Sequence, residues 1–314
     1  MKAAVALIAG AALVVGGVVG AASRRDRWSA LHDGSLARTE VGAARIGGSI
    51  YVVGGFLPPG RTTTAVERYD LAADRWTRVR DMPIGLNHAA AVVYRGDLYV
   101  VGGYAAEGGL TQETGALLRY EPGADRWSQL PAMPTRRGAV AAGVVGDRLY
   151  VAGGARGGAA LRRLEVYDFG TRRWRRGPSM AVAREHLAGA VAGGAFYALA
   201  GRAAGRGNFT VVERFLPPRN RWERLPSLRK ARGGIAAASV HGRVVVFGGE
   251  ESAGTIRQVE LYTPGRRAWS RLPDMRTPRH GLGGVSFRSG VYALEGGVQP
   301  GFSFSSALEA LDVR

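Results

Sequence analysis

The chain has 314 residues, 46% of them hydrophobic, with 48 glycines, 14 prolines and no cysteine. The missing cysteine excludes disulfides, thiolate metal centres and cysteine nucleophiles, and abundant Gly and Pro without long runs of helix formers points to an all-β architecture of short strands and tight turns. The net charge is +18 with Lys2 and Lys230 the only lysines, so the basic character is carried by arginine; it bears on anionic partners rather than on the fold.

At the N-terminus, Lys2 precedes an uninterrupted apolar or glycine stretch, Ala3 to Val19, and then the small residues Gly20-Ala21-Ala22. This is the pattern of a signal peptide, and it is also long enough to act as a membrane anchor across roughly 30 Å of hydrocarbon. Residues 1–22 are therefore read as a targeting segment and 23–314 as one secreted or otherwise extracytoplasmic domain.

Further along, Trp28, Trp76, Trp127, Trp174, Trp222 and Trp269 are spaced by 48, 51, 47, 48 and 47 residues, the fixed beat of a repeat protein. Each unit reads as four strands. The first is small and apolar (His88 to Tyr94, Gly234 to Val240) and the second runs into a glycine pair (Leu98 to Val101). The third alternates charged and apolar groups (Val66 to Asp70), and the fourth carries the tryptophan (Arg75 to Val79). The pairs are Gly54-Gly55, Gly102-Gly103, Gly153-Gly154, Gly248-Gly249 and Gly296-Gly297, with Gly201-Arg202 as a degenerate copy. An aromatic residue precedes the tryptophan by seven positions, as in Tyr69 and Trp76 or Phe215 and Trp222, and is expected to wedge between neighbouring sheets. The last unit stops at Arg314 without a tryptophan strand, whereas Arg25-Asp26-Arg27-Trp28 matches Ala73-Asp74-Arg75-Trp76. The N-terminal strand is thus expected to complete the last sheet and close the ring.

Double glycines followed by a spaced tyrosine and tryptophan resemble the kelch repeat, over Arg27 to Arg314. The resemblance implies a six-bladed kelch-type β-propeller; WD-repeat propellers fit poorly, since no unit ends in Trp-Asp. It also implies a functional face bearing the loops between second and third strands, including Phe56 to Ala65, Tyr104 to Ala116 and Val298 to Ser306. The approaches to the innermost strands add the candidate ligand-binding residues Arg38, Glu40, His88, Arg137, Glu185, His186, Arg232 and His280.

Counted back from the glycine pair, His88 lies 14, His186 15 and His280 16 residues away, so the three histidines are not expected to share a centre, and neither metal nor cofactor is expected. The recurring Glu67, Glu165, Glu213, Glu260 and Glu309 read as scaffold, paired with arginines or turn amides. Galactose-oxidase-like copper chemistry, which needs a cysteine, is excluded. Bacterial sialic-acid mutarotases are similar in architecture and export, and a sugar mutarotase or epimerase is the alternative to a non-catalytic binding protein. The adaptors of eukaryotic kelch type bind acidic peptides through channel-mouth arginines; here Arg38, Arg137 and Arg232 make an incomplete ring. The expected partner is a protein, peptide or glycan at the cell surface. Arginine-rich fourth strands (Arg172 to Arg176, Arg219 to Arg224, Arg266 to Arg271) offer an anionic surface a second contact, and no nucleic-acid groove is evident.

Overall fold

The structure, a computed structural model, describes residues 27–314; the targeting segment read at 1–22 lies outside them. Among the described residues no helix is long and apolar enough to cross a membrane.

Six antiparallel sheets of four-stranded meander order are arranged around a central channel. Blade 1 consists of Gly42–Ile46, Ser49–Val53, Val66–Asp70 and Arg75–Arg78. The innermost strands of the next five are Ala90–Tyr94, Gly138–Val145, Ala188–Ala192, Gly233–Val240 and Gly283–Phe287. These strands are small-residue sequences because they converge: a Cβ on Gly284 of blade 6 would sit 2.7 Å from the Ala236 Cβ of blade 5.

In blade 6 the outermost strand is Ser29–Ala30, paired antiparallel with Leu308–Asp312 in the register Ser29 to Ala310 and Ala30 to Glu309. Trp28 packs in the same apolar cluster as Leu311 and Phe247. Its indole N–H donates to the Pro273 carbonyl at 3.0 Å, repeating the bonds of Trp76 to His32, Trp127 to Arg80, Trp174 to Pro131, Trp222 to Pro178 and Trp269 to Pro226. Every tryptophan therefore satisfies its polar edge on the chain leading into its blade while its ring packs on the preceding tyrosine or phenylalanine or across to the next sheet. The core is accordingly distributed between blades. One cluster joins Ala190 and Tyr197 of blade 4 to Tyr262 and Trp269 of blade 5, and another joins Val285 and Leu308 of blade 6 to Ile50 and Tyr69 of blade 1.

Five blades share a buried ion pair. Arg38, Arg137, Arg184, Arg232 and Arg279, all fully buried, pair with Glu67, Glu165, Glu213, Glu260 and Glu309 of the third strand of their own blade. The glutamates also accept from the preceding turn, for example from the Thr135 hydroxyl at 2.8 Å and the Arg229 N–H at 2.9 Å, so each carboxylate is multiply satisfied, the condition under which a buried charge is tolerated. Blade 2 carries Leu86 and Leu118 at the equivalent positions, both buried in the apolar core. In blade 1 the clasp is doubled, since Arg38 also holds Glu295 of blade 6 at 2.7 Å.

Candidate functional site at the channel mouth

Where each innermost strand begins, one residue per blade adopts a left-handed backbone: Glu40 (φ 56°), His88 (53°), Ala139 (54°), His186 (50°), Gly234 (66°) and Gly281 (57°). The conformation turns the peptide groups sideways, so that they bond from blade to blade: His88 N–H to Glu40 O at 3.0 Å, Ala139 to His88 at 2.9 Å, His186 to Ala139 at 3.1 Å, Gly234 to His186 at 3.0 Å, Gly281 to Gly234 at 2.8 Å, and Val41 to Gly281 at 3.2 Å. This belt encircles the channel, and four of its six positions hold side chains that pay a left-handed strain of about 1–2 kcal/mol each.

The belt corrects the expectation that the histidines diverge. The paired left-handed residues ending the second strands are Ala200-Gly201 in blade 4 and Glu295-Gly296 in blade 6, one position earlier than the sequence suggests. Counted from the first member of each pair, Glu40, His88, Ala139, His186, Gly234 and Gly281 all lie 14 residues upstream. Only the second member must be glycine: its φ of 87° to 107° lies beyond the left-handed region open to other residues, whereas the first member stays within it at 48° to 69°. The first tolerates Ala200 or Glu295, which disguises the register.

Glu40, His88 and His186 consequently face the axis, with His88 and His186 edge to face at 4.7 Å between ring centroids. His88 Nε2 is 3.2 Å from Glu40 Oε2, and His280 Nδ1 is 3.3 Å from Glu40 Oε1 and 3.6 Å from a Glu250 oxygen. The His186 Nδ1–H bonds to Glu185. Arg202 links this group together, donating to Glu185 at 3.1 Å, Glu250 at 2.6 Å and His186 Nε2 at 3.0 Å. Three carboxylates thus surround a single permanent cation.

Burial works to raise the Glu40 carboxyl, but His88, His280 and His186 around it hold it well below the usual carboxylate range. Burial drives the His88 imidazole down to about 3, with Glu40 opposing only in part. Burial also disfavours the cationic form of His280, yet its contacts with Glu40 and Glu250 bring the net shift upward. Glu185 is lowered, burial being outweighed by His186 and Arg202.

Above the cluster lies a pocket of about 130 Å³ lined by Thr39, Glu40, Phe56, His88, His186, Arg202, Glu250 and His280, flanked by Leu110 and Phe302. Phe302 is 57% and Leu110 43% exposed, and Phe302 packs on Phe56 with centroids 5.2 Å apart. The loops are tied to one another, through Gly301 N–H to Glu250 at 3.1 Å, Thr255 to Val298 O at 3.1 Å and Thr62 to Ala106 O at 2.6 Å. Below, the channel floor of small inner-strand residues shares Glu40, His88 and His186 with the pocket.

Of the residues singled out in the sequence, Glu40, His88, Glu185, His186 and His280 come together here. Arg38, Arg137 and Arg232 do not; committed to their glutamates and fully buried, they are unavailable to a ligand. Arg202 was missed as a site residue, and Phe302 was reached only as part of the loop Val298 to Ser306. Arg202 occupies the place taken for a degraded second glycine, and Phe302 stands in a loop without any repeat partner.

The model of the KLHDC2/KLHL20/DRC7 Kelch-repeats domain matches residues 39–249, and the Kelch motif matches 231–276. The chain belongs to the kelch-repeat family. A solved structure of YjhT superposes with a TM-score of 0.75 at 15% identity, covering 89% of this kelch chain and 96% of that one, a likeness of fold alone. No curated protein matches. Kelch repeats commonly mediate protein interactions, and the propeller is read as an interaction scaffold on that ground.

Proposed function

We propose that this kelch propeller is an extracytoplasmic binding protein that engages a protein, peptide or glycan with its loop-rich face, drawing a donor-rich group of that partner into the channel-mouth pocket. The observation that carries this reading is the pairing of exposed apolar side chains, Phe302 and Leu110, with a pocket at whose base Glu40, Glu185 and Glu250 share one permanent cation, Arg202. An apolar rim supplies contact area, and surplus acceptors select basic side chains or sugar hydroxyls. The extracytoplasmic placement is supported by Lys2 and the apolar run Ala3 to Val19. The exposed arginines of blades 3 to 5 offer a subsidiary, salt-sensitive contact with an anionic surface.

A sugar mutarotase would want a protonated carboxyl beside an arginine in the pocket, and Glu40 and Glu185 are instead held ionised. The two readings separate in one experiment. Basic-peptide and glycan arrays probed with the wild-type chain, Phe302→Ala and Glu250→Gln should show binding that both substitutions weaken at least tenfold. Accelerated equilibration of anomeric sugars that disappears in Glu250→Gln would replace binding with catalysis.

A further inference from the structure

We propose that Glu40, His88 and His186 form a binding site for a single divalent transition-metal cation of the zinc class at the base of the channel-mouth pocket. The ligand atoms these three residues offer lie within 4.8 Å of one another. All three project from the left-handed belt, whose backbone is fixed by hydrogen bonds to both neighbouring blades, so the donor set is held by the scaffold and not by mobile loops.

The decisive observation is the direction of the imidazole protons, which their partners assign. Thr62 donates its hydroxyl to Ala106 O, and Asn87 donates its amide to Thr62 Oγ1 at 2.9 Å and towards the same carbonyl at 3.4 Å. That fixes Asn87 Oδ1 as an acceptor, and it lies 2.7 Å from His88 Nδ1, which must carry the proton. His88 Nε2 is then a lone pair, and it faces a carboxylate oxygen of Glu40 at 3.2 Å. In the neutral ring two acceptors at that distance repel unless a cation lies between them, a place that a proton on Nε2 or a metal ion can take. His186 shows the same arrangement: its Nδ1–H is taken by Glu185 and its Nε2 lone pair accepts from Arg202 at 3.0 Å.

An imidazole whose Nδ1–H is anchored on an oxygen so that Nε2 points inward is the arrangement that orients metal-ligating histidines. His280, 2% exposed, places its Nδ1 3.3 Å from the other Glu40 oxygen. Two imidazoles and one carboxylate suit zinc and its first-row neighbours rather than calcium or magnesium. Three protein donors leave a tetrahedral ion one position short, and all three donors line the pocket. Arg202 is the built-in competitor, since a metal on His186 Nε2 displaces its hydrogen bond.

The test uses the full chain, free of affinity tag and stripped by chelator, with Zn²⁺ alone as the titrant and Co²⁺ as a spectroscopic probe. Calorimetry should give one Zn²⁺ per chain, and Co²⁺ should develop visible absorption characteristic of nitrogen and oxygen ligands at low symmetry. Glu40→Gln, nearly isosteric, and His88→Gly and His186→Gly, which the left-handed backbone accepts, should each weaken Zn²⁺ at least tenfold; Arg202→Gln should tighten it several-fold by releasing His186. As a check independent of variants, Zn²⁺ should raise the wild-type melting temperature in a concentration-dependent manner. The proposal is overturned if the stoichiometry falls short of one, if Glu40→Gln binds Zn²⁺ like the wild type, or if Zn²⁺ leaves the melt unmoved. No partner enters these measurements, so their failure would leave the binding reading of the face intact.

Discussion

Two sets of charged residues lie two positions apart in the same turns and have opposite fates. Arg38, Arg137, Arg184, Arg232 and Arg279 point into their own blades and end on a third-strand glutamate. Glu40, His88 and His186 point at the axis, and their counterparts are Ala139, Gly234 and Gly281. What recurs blade after blade holds blades together; what breaks the recurrence faces the solvent-accessible pocket. A charged residue in a repeat protein is thus classified less by its chemistry than by whether its neighbours around the ring share it.

Breaking a clasp should produce the largest effect. Arg137→Met leaves Glu165 buried without its cation and is expected to cost about 3–5 kcal/mol in urea unfolding. The double replacement Arg137→Leu with Glu165→Leu, which copies Leu86 and Leu118 of blade 2, should recover most of that loss; a double variant as unstable as the single would refute the equivalence.

Intermediate in size is the seam between blades 6 and 1. Burial, together with the second carboxylate Glu67 that Glu295 shares Arg38 with, raises Glu295 to about 7, Arg38 offsetting only part of this. A carboxyl raised on folding binds more protons in the native state, so stability contributed by Glu295 is full below its unfolded value near 4.5 and is lost as pH rises through 7. Melting temperatures of the wild type should therefore decline across that window, and Glu295→Gln should flatten the decline. An unchanged slope in the variant would show that the clasp titrates elsewhere.

The smallest effect belongs to the mouth. His88→Gly gives blade 2 the residue type of blades 5 and 6 and relieves a left-handed side chain, so its stability should stay within about 1 kcal/mol of wild type by thermal melt. A loss as large as that of Arg137→Met would erase the distinction between clasp and mouth.

The blade count and the tyrosine–tryptophan wedges were legible because packing between sheets demands large side chains at a fixed interval. The clasps were half legible: the glutamates recur visibly, whereas Arg184 and Arg279 fell out of register with Arg38, Arg137 and Arg232. The obstacle was the glycine pair. Only its second member has a backbone angle that demands glycine, so Ala200 and Glu295 hid the true phase and displaced His186 and His280 by one position each; in the true phase His186 aligns with His88, and His280 lies one residue before the belt. Arg202 could have been found from that same correction, because the residue after the obligatory glycine leads onto the functional face; Phe302 leaves no signal short of the loop geometry.

The main-chain belt around the channel repeats six times, but its side chains do not. A ligand docking there meets a socket with approximate sixfold backbone symmetry but an unrepeating order of side chains, so it can seat in a single orientation of six. Duplicated blades supply a rigid frame, and a few departures from duplication break the degeneracy, which is how a rotationally repetitive molecule comes to read an asymmetric partner.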